Sequence, residues 1–180
     1  MPTFRTAAVR RAVPTAAAAV ALLAAIGCGK ESGPSDYDKM VQDEQARAST
    51  LASAGAKTQK KSYSVGSGWV VDMTGVTVTD NLLREMKQLG NIAELDLKKS
   101  TVTDAHLALM HELGLHVVLF KLDLSNTAVT DAGLEHLNGN VFLGDLNLTG
   151  TKITAAGIDR FKKSRLADPK VRIKNTNVRR

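Results

Sequence analysis

The chain has 180 residues, 43% of them hydrophobic but only 4% aromatic, which fits one modest domain with extra segments and a core of Leu, Val and Ala. The formal charge of +6 is uneven: three of the 24 basic residues (Arg5, Arg10, Arg11) precede Cys28 with no acid among them, and the remainder stands at 21 basic against 18 acidic. The positive balance is thus partly a targeting feature and carries no nucleic-acid signal, and a single cysteine excludes an intramolecular disulfide framework.

In chain order, a basic start is followed by AVPTAAAAVALLAAIG over residues 12–27. That run is shorter than the roughly 20 apolar residues that span a bilayer as a helix. A basic start and a short apolar core form the pattern of a secretory signal peptide. It ends in Ala25-Ile26-Gly27-Cys28, which resembles the bacterial lipobox, with Ala25 where Leu is usual. The resemblance implies cleavage before Cys28 and acylation of that residue. An ordinary cleaved signal and an uncleaved anchor are the alternatives. Gly29 stands where, in the lipoproteins this resembles, Asp favours retention at the inner membrane; the outer membrane or cell surface is therefore expected.

Residues 28–66 are poor in large apolar side chains and rich in Gly, Ser, Ala, Lys and Glu. Such a composition buries too little surface to offset the entropy of ordering. The segment reads as a lipidated Cys on a flexible tether. A weak helix over about 37–54 is either transient or docks as a cap on the repeating segment that begins at residue 67.

From residue 67 to 180 the chain repeats itself. Thr79-Asp80, Thr103-Asp104, Thr130-Asp131 and Thr154-Ala155 recur at intervals of 24, 27 and 24 residues. Eight and six residues before each Thr stand apolar pairs: Val71 and Met73, Leu95 and Leu97, Leu122 and Leu124, Leu146 and Leu148. Val171, Ile173 and Val178 make a final partial copy. Each alternating pair predicts a short strand with one buried face. After each Thr, the spacing of Leu107 and Met110, Leu134 and Leu137, and Ile158 and Phe161 predicts a helix. The Thr or the Asp of each pair is suited to cap it. Gly133 and Gly157 oppose helix propensity, so close packing is expected there. Tyr63, Val65 and Trp69 are expected to close the first edge of the core.

A unit of this size buries its apolar stripe only by stacking copies. The segment LDLSNTAVTDAGLEHL, Leu122 to Leu137, resembles a leucine-rich repeat, closest to the cysteine-containing subclass. Thr101, Thr127, Thr151 and Thr176, with Val76 in the first copy, stand where that family has Cys or Asn. The resemblance implies an α/β fold: a right-handed solenoid of about four and a half strand-helix repeats with a parallel concave sheet, and a ladder of Thr hydroxyls in its turns.

Catalytic motifs are not found: no H-E-x-x-H, no G-x-S-x-G, no phosphate loop. His106, His111 and His116 are spaced by five, which does not place them on one helix face, and His136 belongs to the next unit. The recurrence of Thr-Asp argues for structure, since a catalytic group is needed once. The strand face instead offers Asp72, Asp96, Asp123, Asn147 and Arg172 as outward residues. They are flanked by rows of Val70, Glu94, Lys121, Asp145 and Lys170, and of Thr74, Lys98, Ser125, Thr149 and Lys174. This face is acidic in its first copies and basic in its last, a gradient able to steer a complementary partner. From Arg160 to Arg180 there are nine basic residues against one acid, Asp168. The expectation is a non-catalytic lipoprotein that recognises a protein or glycan at the cell envelope, with no cofactor, no metal and no nucleic acid. Two rivals remain: a purely structural envelope lipoprotein, and a metal protein or hydrolase using the His residues.

Overall fold

The computed structural model describes residues 35–64, 66–164 and 171–175. The segment expected to be a signal peptide, Cys28, Val65, Lys170, Thr176 and Val178 lie outside them. Within the compact unit Asp36–Arg180, helix α1 (Asp36–Ser53) leads into a hairpin of β1 (Lys57–Tyr63) and β2 (Gly66–Asp72). Alternation follows: α2 (Asp80–Gln88), β3 (Ile92–Asp96), α3 (Asp104–Glu112), β4 (Lys121–Asp123), α4 (Asp131–Glu135), β5 (Asp145–Asn147), α5 (Ala155–Ser164) and β6 (Arg172–Lys174).

The fold is α/β, with one six-stranded sheet in the order β1 to β6. The sheet is mixed rather than parallel throughout: β1 pairs antiparallel with β2, and β2 to β6 run parallel. The extra strand, KTQKKSY, is exposed along most of its length and so lacks the apolar alternation that reveals a half-buried strand. Its lysines suit an edge, where charge discourages pairing with another chain.

The compact unit takes in α1 and β1 ahead of Ser67. Leu51 is fully buried and Ala56 nearly so, and both join the core of the first unit. A composition average misses this, because only a few small apolar side chains are needed to cover that open edge. Trp69 is buried in the same cluster, with Lys60 5.6 Å above its ring.

The core is one cluster between the sheet and the helices. Val71, Leu95, Leu122 and Leu146 of the parallel strands meet Leu83, Met86, Leu107, Met110, Leu134 and Ile158 of the helices. Ile173 of β6 pairs in register with Leu146, so the last copy is displaced by two residues from the expected alignment on Val171. Side chains alternate with period two, so a slip of two leaves every side chain on the expected face and is invisible to pattern.

Turn chemistry recurs from unit to unit. Ser100, Thr127 and Thr151 are buried, and each hydroxyl donates to the carbonyl three residues earlier, at 2.6–2.7 Å. The hydroxyl ladder therefore passes through Ser100, not Thr101, which lies one residue on and whose Oγ1 accepts from the Val78 N–H at 2.9 Å. Immediately before each ladder position, or before Val76, the backbone is left-handed: Gly75, Lys99, Asn126 and Gly150 have φ between 57° and 78°.

Helix starts tie neighbouring units together. Thr79, Thr130 and Thr154 accept from the first turn of α2, α4 and α5, which satisfies orphan N–H groups. The Asp after the Thr does a different job from the expected cap. Asp104 accepts from the N–H and hydroxyl of Thr130 in the next unit, at 2.8 and 2.6 Å. Asp131 does the same for Thr154, at 2.8 and 2.7 Å. A Cβ on Gly133 would collide with Asp104, and one on Gly157 with Asp131, so these glycines leave room for the bridging carboxylates.

Candidate functional site

The face of the sheet turned away from the helices carries two rows of side chains, polar except for Val70. One runs Asp72, Asp96, Asp123, Asn147, Lys174, and the other Val70, Glu94, Lys121, Asp145, Arg172. Arg172 thus stands beside Asp145 rather than at the end of the Asp/Asn row, and Lys174 takes its place. The slip of β6 causes the exchange.

The Asp/Asn row is partly committed to the fold. The Oδ1 atoms of Asp72, Asp96, Asp123 and Asn147 accept the N–H two residues later, from Thr74, Lys98, Ser125 and Thr149, at 2.8–3.2 Å. Each is an Asx turn that ends its strand. The Thr74 N–H, aided by Lys57 and Lys98, holds the Asp72 carboxyl below the usual range against the opposing effect of burial. Asp123 also accepts from the Ser125 hydroxyl and from Asn147 Nδ2 at 2.7 Å. Ser125 is buried, so the third expected row is not uniformly outward.

The other row is paired across strands. Glu94 accepts from Lys61 Nζ at 2.8 Å and from the Tyr63 hydroxyl at 2.9 Å. The Lys61 contact is the largest influence holding the Glu94 carboxyl below its usual range. Burial, then the Glu94 hydrogen bond and charge, push the Tyr63 phenol up to about 12. Asp145 accepts from Arg172 at 2.7 Å. Exposed pairs of this kind contribute little stability, about 0–1 kcal/mol; their effect is on the field of the face. Lys57 and Lys61 of β1 moderate the acidity expected of the first units, a contribution missed because β1 was not legible as a strand.

Two hollows lie on this face. One of about 410 Å³ is bounded by Lys121, Asp123, Asp145, Asn147, Arg172 and Lys174. The other, of about 200 Å³, is bounded by Asp72, Glu94, Asp96, Lys121 and Asp123. Both are open, charged and of mixed sign, suited to a polar partner laid across the strands.

The histidines lie elsewhere. His106 reaches back to the start of α3, its Nδ1 accepting from the Thr103 N–H at 3.2 Å, as the third residue of a capping box does. The other three converge, which their sequence spacing did not reveal: the ring centroids of His111 and His116 are 4.4 Å apart and stacked, and those of His111 and His136 are 6.2 Å apart. The convergence comes from the longer connection between α3 and β4, which carries His116 back beneath the end of α3. Among the described residues, no group of three or more His, Cys, Asp or Glu side chains is placed to hold a metal ion.

His116 is 5% exposed and its Nδ1 lacks a hydrogen-bond partner. Burial first, and the neighbouring His111 second, lower its pKa from 6.5. An imidazole whose folded pKa is depressed supplies stability that is fully present above its unfolded value and lost as pH falls through its folded value. Thermal unfolding is therefore expected to show a midpoint that declines as pH is lowered from 7.5 to 5, with a smaller decline in His116→Phe. Equal declines in the two proteins would remove His116 as the source. The depressed carboxylates Asp72, Glu94 and Asp131 lose their contribution only at more acid pH, which keeps the two effects apart.

No protein-family model matches the chain, and no curated protein matches it in sequence. Among the described residues, no helix is long and apolar enough to cross a membrane.

Proposed function

We propose that this chain is an exported, lipid-anchored leucine-rich-repeat protein that recognises a protein or glycan at the bacterial cell envelope, without catalysis. In this reading β2 to β6 and the helices between them are about four and a half turns of a right-handed solenoid, and the polar sheet face is its concave side. The observation that carries the proposal is the in-register pairing of β2 to β6 in chain order, with Asx turns and buried hydroxyls recurring at the strand ends. It places unlike charged side chains, Glu94, Asp96, Lys121, Asp145, Arg172 and Lys174, on one open surface. Cys28 would carry the acyl chains; two or three buried chains hold a domain on a bilayer stably, since each buried CH₂ contributes about 0.8 kcal/mol.

The test must remove charge without breaking turns. Asn keeps the side-chain oxygen that accepts in an Asx turn, so Asp96→Asn/Asp123→Asn changes the field of the face and leaves the strand ends capped, at the loss of the Asn147 Nδ2 contact to Asp123. Used as bait in an envelope extract beside the parent unit Asp36–Arg180, the double variant is expected to retain at least about tenfold less partner, equivalent to 1.4 kcal/mol. Equal capture by both would move the site off this face.

A second reading, a spacer or scaffold lipoprotein with no foreign ligand, is favoured by one observation: Asp72, Asp96, Asp123, Glu94 and Asp145 each already have a partner within the fold. A folded bait that captures nothing but itself would select this reading.

A further inference from the structure

The sheet has an end as well as a face, and that end is apolar. Among the described residues the exposed large hydrophobic side chains are Met40, Val41, Val117, Val141 and Phe142. Val117 lies between α3 and β4, and Val141 and Phe142 between α4 and β5, where the chain enters its strands. Phe142 is 52% exposed and meets Phe120 edge-on with centroids 5.9 Å apart; Phe120 in turn lies 5.6 Å from Tyr63 at the turn of the hairpin. These aromatics border a hollow of about 300 Å³.

The display is built rather than frayed. Asn140 is 2% exposed, donates to the Leu119 carbonyl at 3.0 Å, and accepts from the N–H groups of Phe142 and Leu143 at 2.9 and 3.0 Å. One buried amide thus clamps both loops while Val141 and Phe142 project outward. Apolar side chains grouped in this way on a polar protein mark an interaction surface.

The direction of α1 says what covers it. The Glu44–Lys60 ion pair, at 2.6 Å, and the short link from Ser53 to Lys57 set α1 antiparallel to β1. With 1.5 Å of rise per residue, the first residues of α1, Met40 and Val41 among them, project toward the Tyr63 end of β1. Cys28 precedes Asp36 by only eight positions, a reach of at most about 28 Å of extended chain. An acyl anchor at Cys28 therefore holds this end of the sheet close to the lipid.

We propose that this end, Val117, Val141 and Phe142 with Met40 and Val41, docks into the interfacial region of the bilayer to which the chain is anchored. Tyr and Trp suit that region because one end of the ring is apolar and the other wet, and Tyr63 sits at its border. The docked unit stands with its strands rising from the membrane, which leaves the polar sheet face open sideways to a partner. Of the charged side chains at these helix ends, Lys87, Lys162 and Lys163 are opposed in part by Glu112 and Glu135. The docking proposed is carried by the exposed apolar side chains, and it should persist on neutral lipid and in high salt.

Docking rests on the proposed acylation at Cys28, and one experiment separates the two. The acylated full chain is reconstituted in phosphatidylcholine vesicles. Acylation blocks the Cys28 sulfur, so Val141→Cys supplies the one free thiol for an environment-sensitive fluorophore; Lys152→Cys, at the opposite ends of the strands, is the control. Docking gives a blue-shifted emission at position 141, quenched by shallow spin-labelled lipid several-fold more than at 152. The shift is abolished by Val117→Ser/Phe142→Ser, two exposed positions whose change leaves the core intact. Flotation with the vesicles and an aqueous probe at 141 would overturn the docking while leaving the anchor in place. Failure to float would overturn the anchor and the docking with it. A probe equally buried in vesicle-free protein, and dependent on protein concentration, would assign the surface to a second copy and overturn the membrane as its occupant.

Discussion

Leu122→Ala is expected to lower the free energy of unfolding by about 2–5 kcal/mol, the range for a large-to-small change in a packed core. Leu122 is 1% exposed on β4, in register between Leu95 and Leu146. Both neighbours sit on strands held on either side, so the hole left by the missing methyls has little means to collapse, and the cost should fall in the upper part of that range. Ile173→Ala, on the edge strand β6 and only half-buried, should cost less, and Val117→Ala, 41% exposed, less than about 0.5 kcal/mol. Denaturant unfolding checks the series as a shift of midpoint at unchanged slope. A loss below about 0.5 kcal/mol at Leu122 would contradict its place in the core.

That series also separates what was legible in the sequence from what was not. The apolar pairs from Val71 to Leu148 were legible because burial on one face imposes a period of two, and the helices because Leu107 and Met110 or Ile158 and Phe161 repeat the helical period. Spacing alone could not align β6, since a slip of two residues conserves inside and outside; only the backbone pairing of Ile173 with Leu146 decides it. The same limit moved Arg172 from the Asp/Asn row to the side of Asp145. The helix expected over about 37–54 is present as α1, but its docking was left open in the sequence and β1 was illegible, for a different reason. β1 is held by backbone hydrogen bonds and needs no apolar side chains of its own, and α1 contributes Leu51 and little else of size. Of the candidate site, the outward positions could be read from alternation. Their commitment to Asx turns could not, because a strand-end Asp that caps and one that binds look the same in one dimension.

Gly133→Ala offers the second large effect, and its sign discriminates between two physical accounts. Gly133 lies in α4. Helix propensity alone favours Ala over Gly by about 1 kcal/mol, so an isolated helix would be stabilised. In the fold, a methyl there collides with the Asp104 carboxylate and presses on Val129, and the bridge from Asp104 to the Thr130 N–H and hydroxyl must give way. Hydrogen bonds to a charged group contribute about 1.5–3 kcal/mol each, and two are at stake. The expected net result is a destabilisation of about 2–4 kcal/mol, opposite in sign to propensity. Asp104→Ala should cost about as much, since it leaves the Thr130 N–H without its acceptor. The double variant should cost far less than the sum, because without the carboxylate the methyl has space and the propensity gain returns. Strict additivity, or a stabilised Gly133→Ala, would mean that Asp104 does not hold the two units together. Gly157 and Asp131 repeat the arrangement one unit later, so Gly157→Ala should have the same sign, moderated by the Arg160 contact that also holds Asp131. Agreement at both junctions would make the bridging carboxylate, rather than the helix it precedes, the reason Asp follows Thr103 and Thr130; at the Thr79-Asp80 copy the Thr103 N–H goes instead to His106 Nδ1.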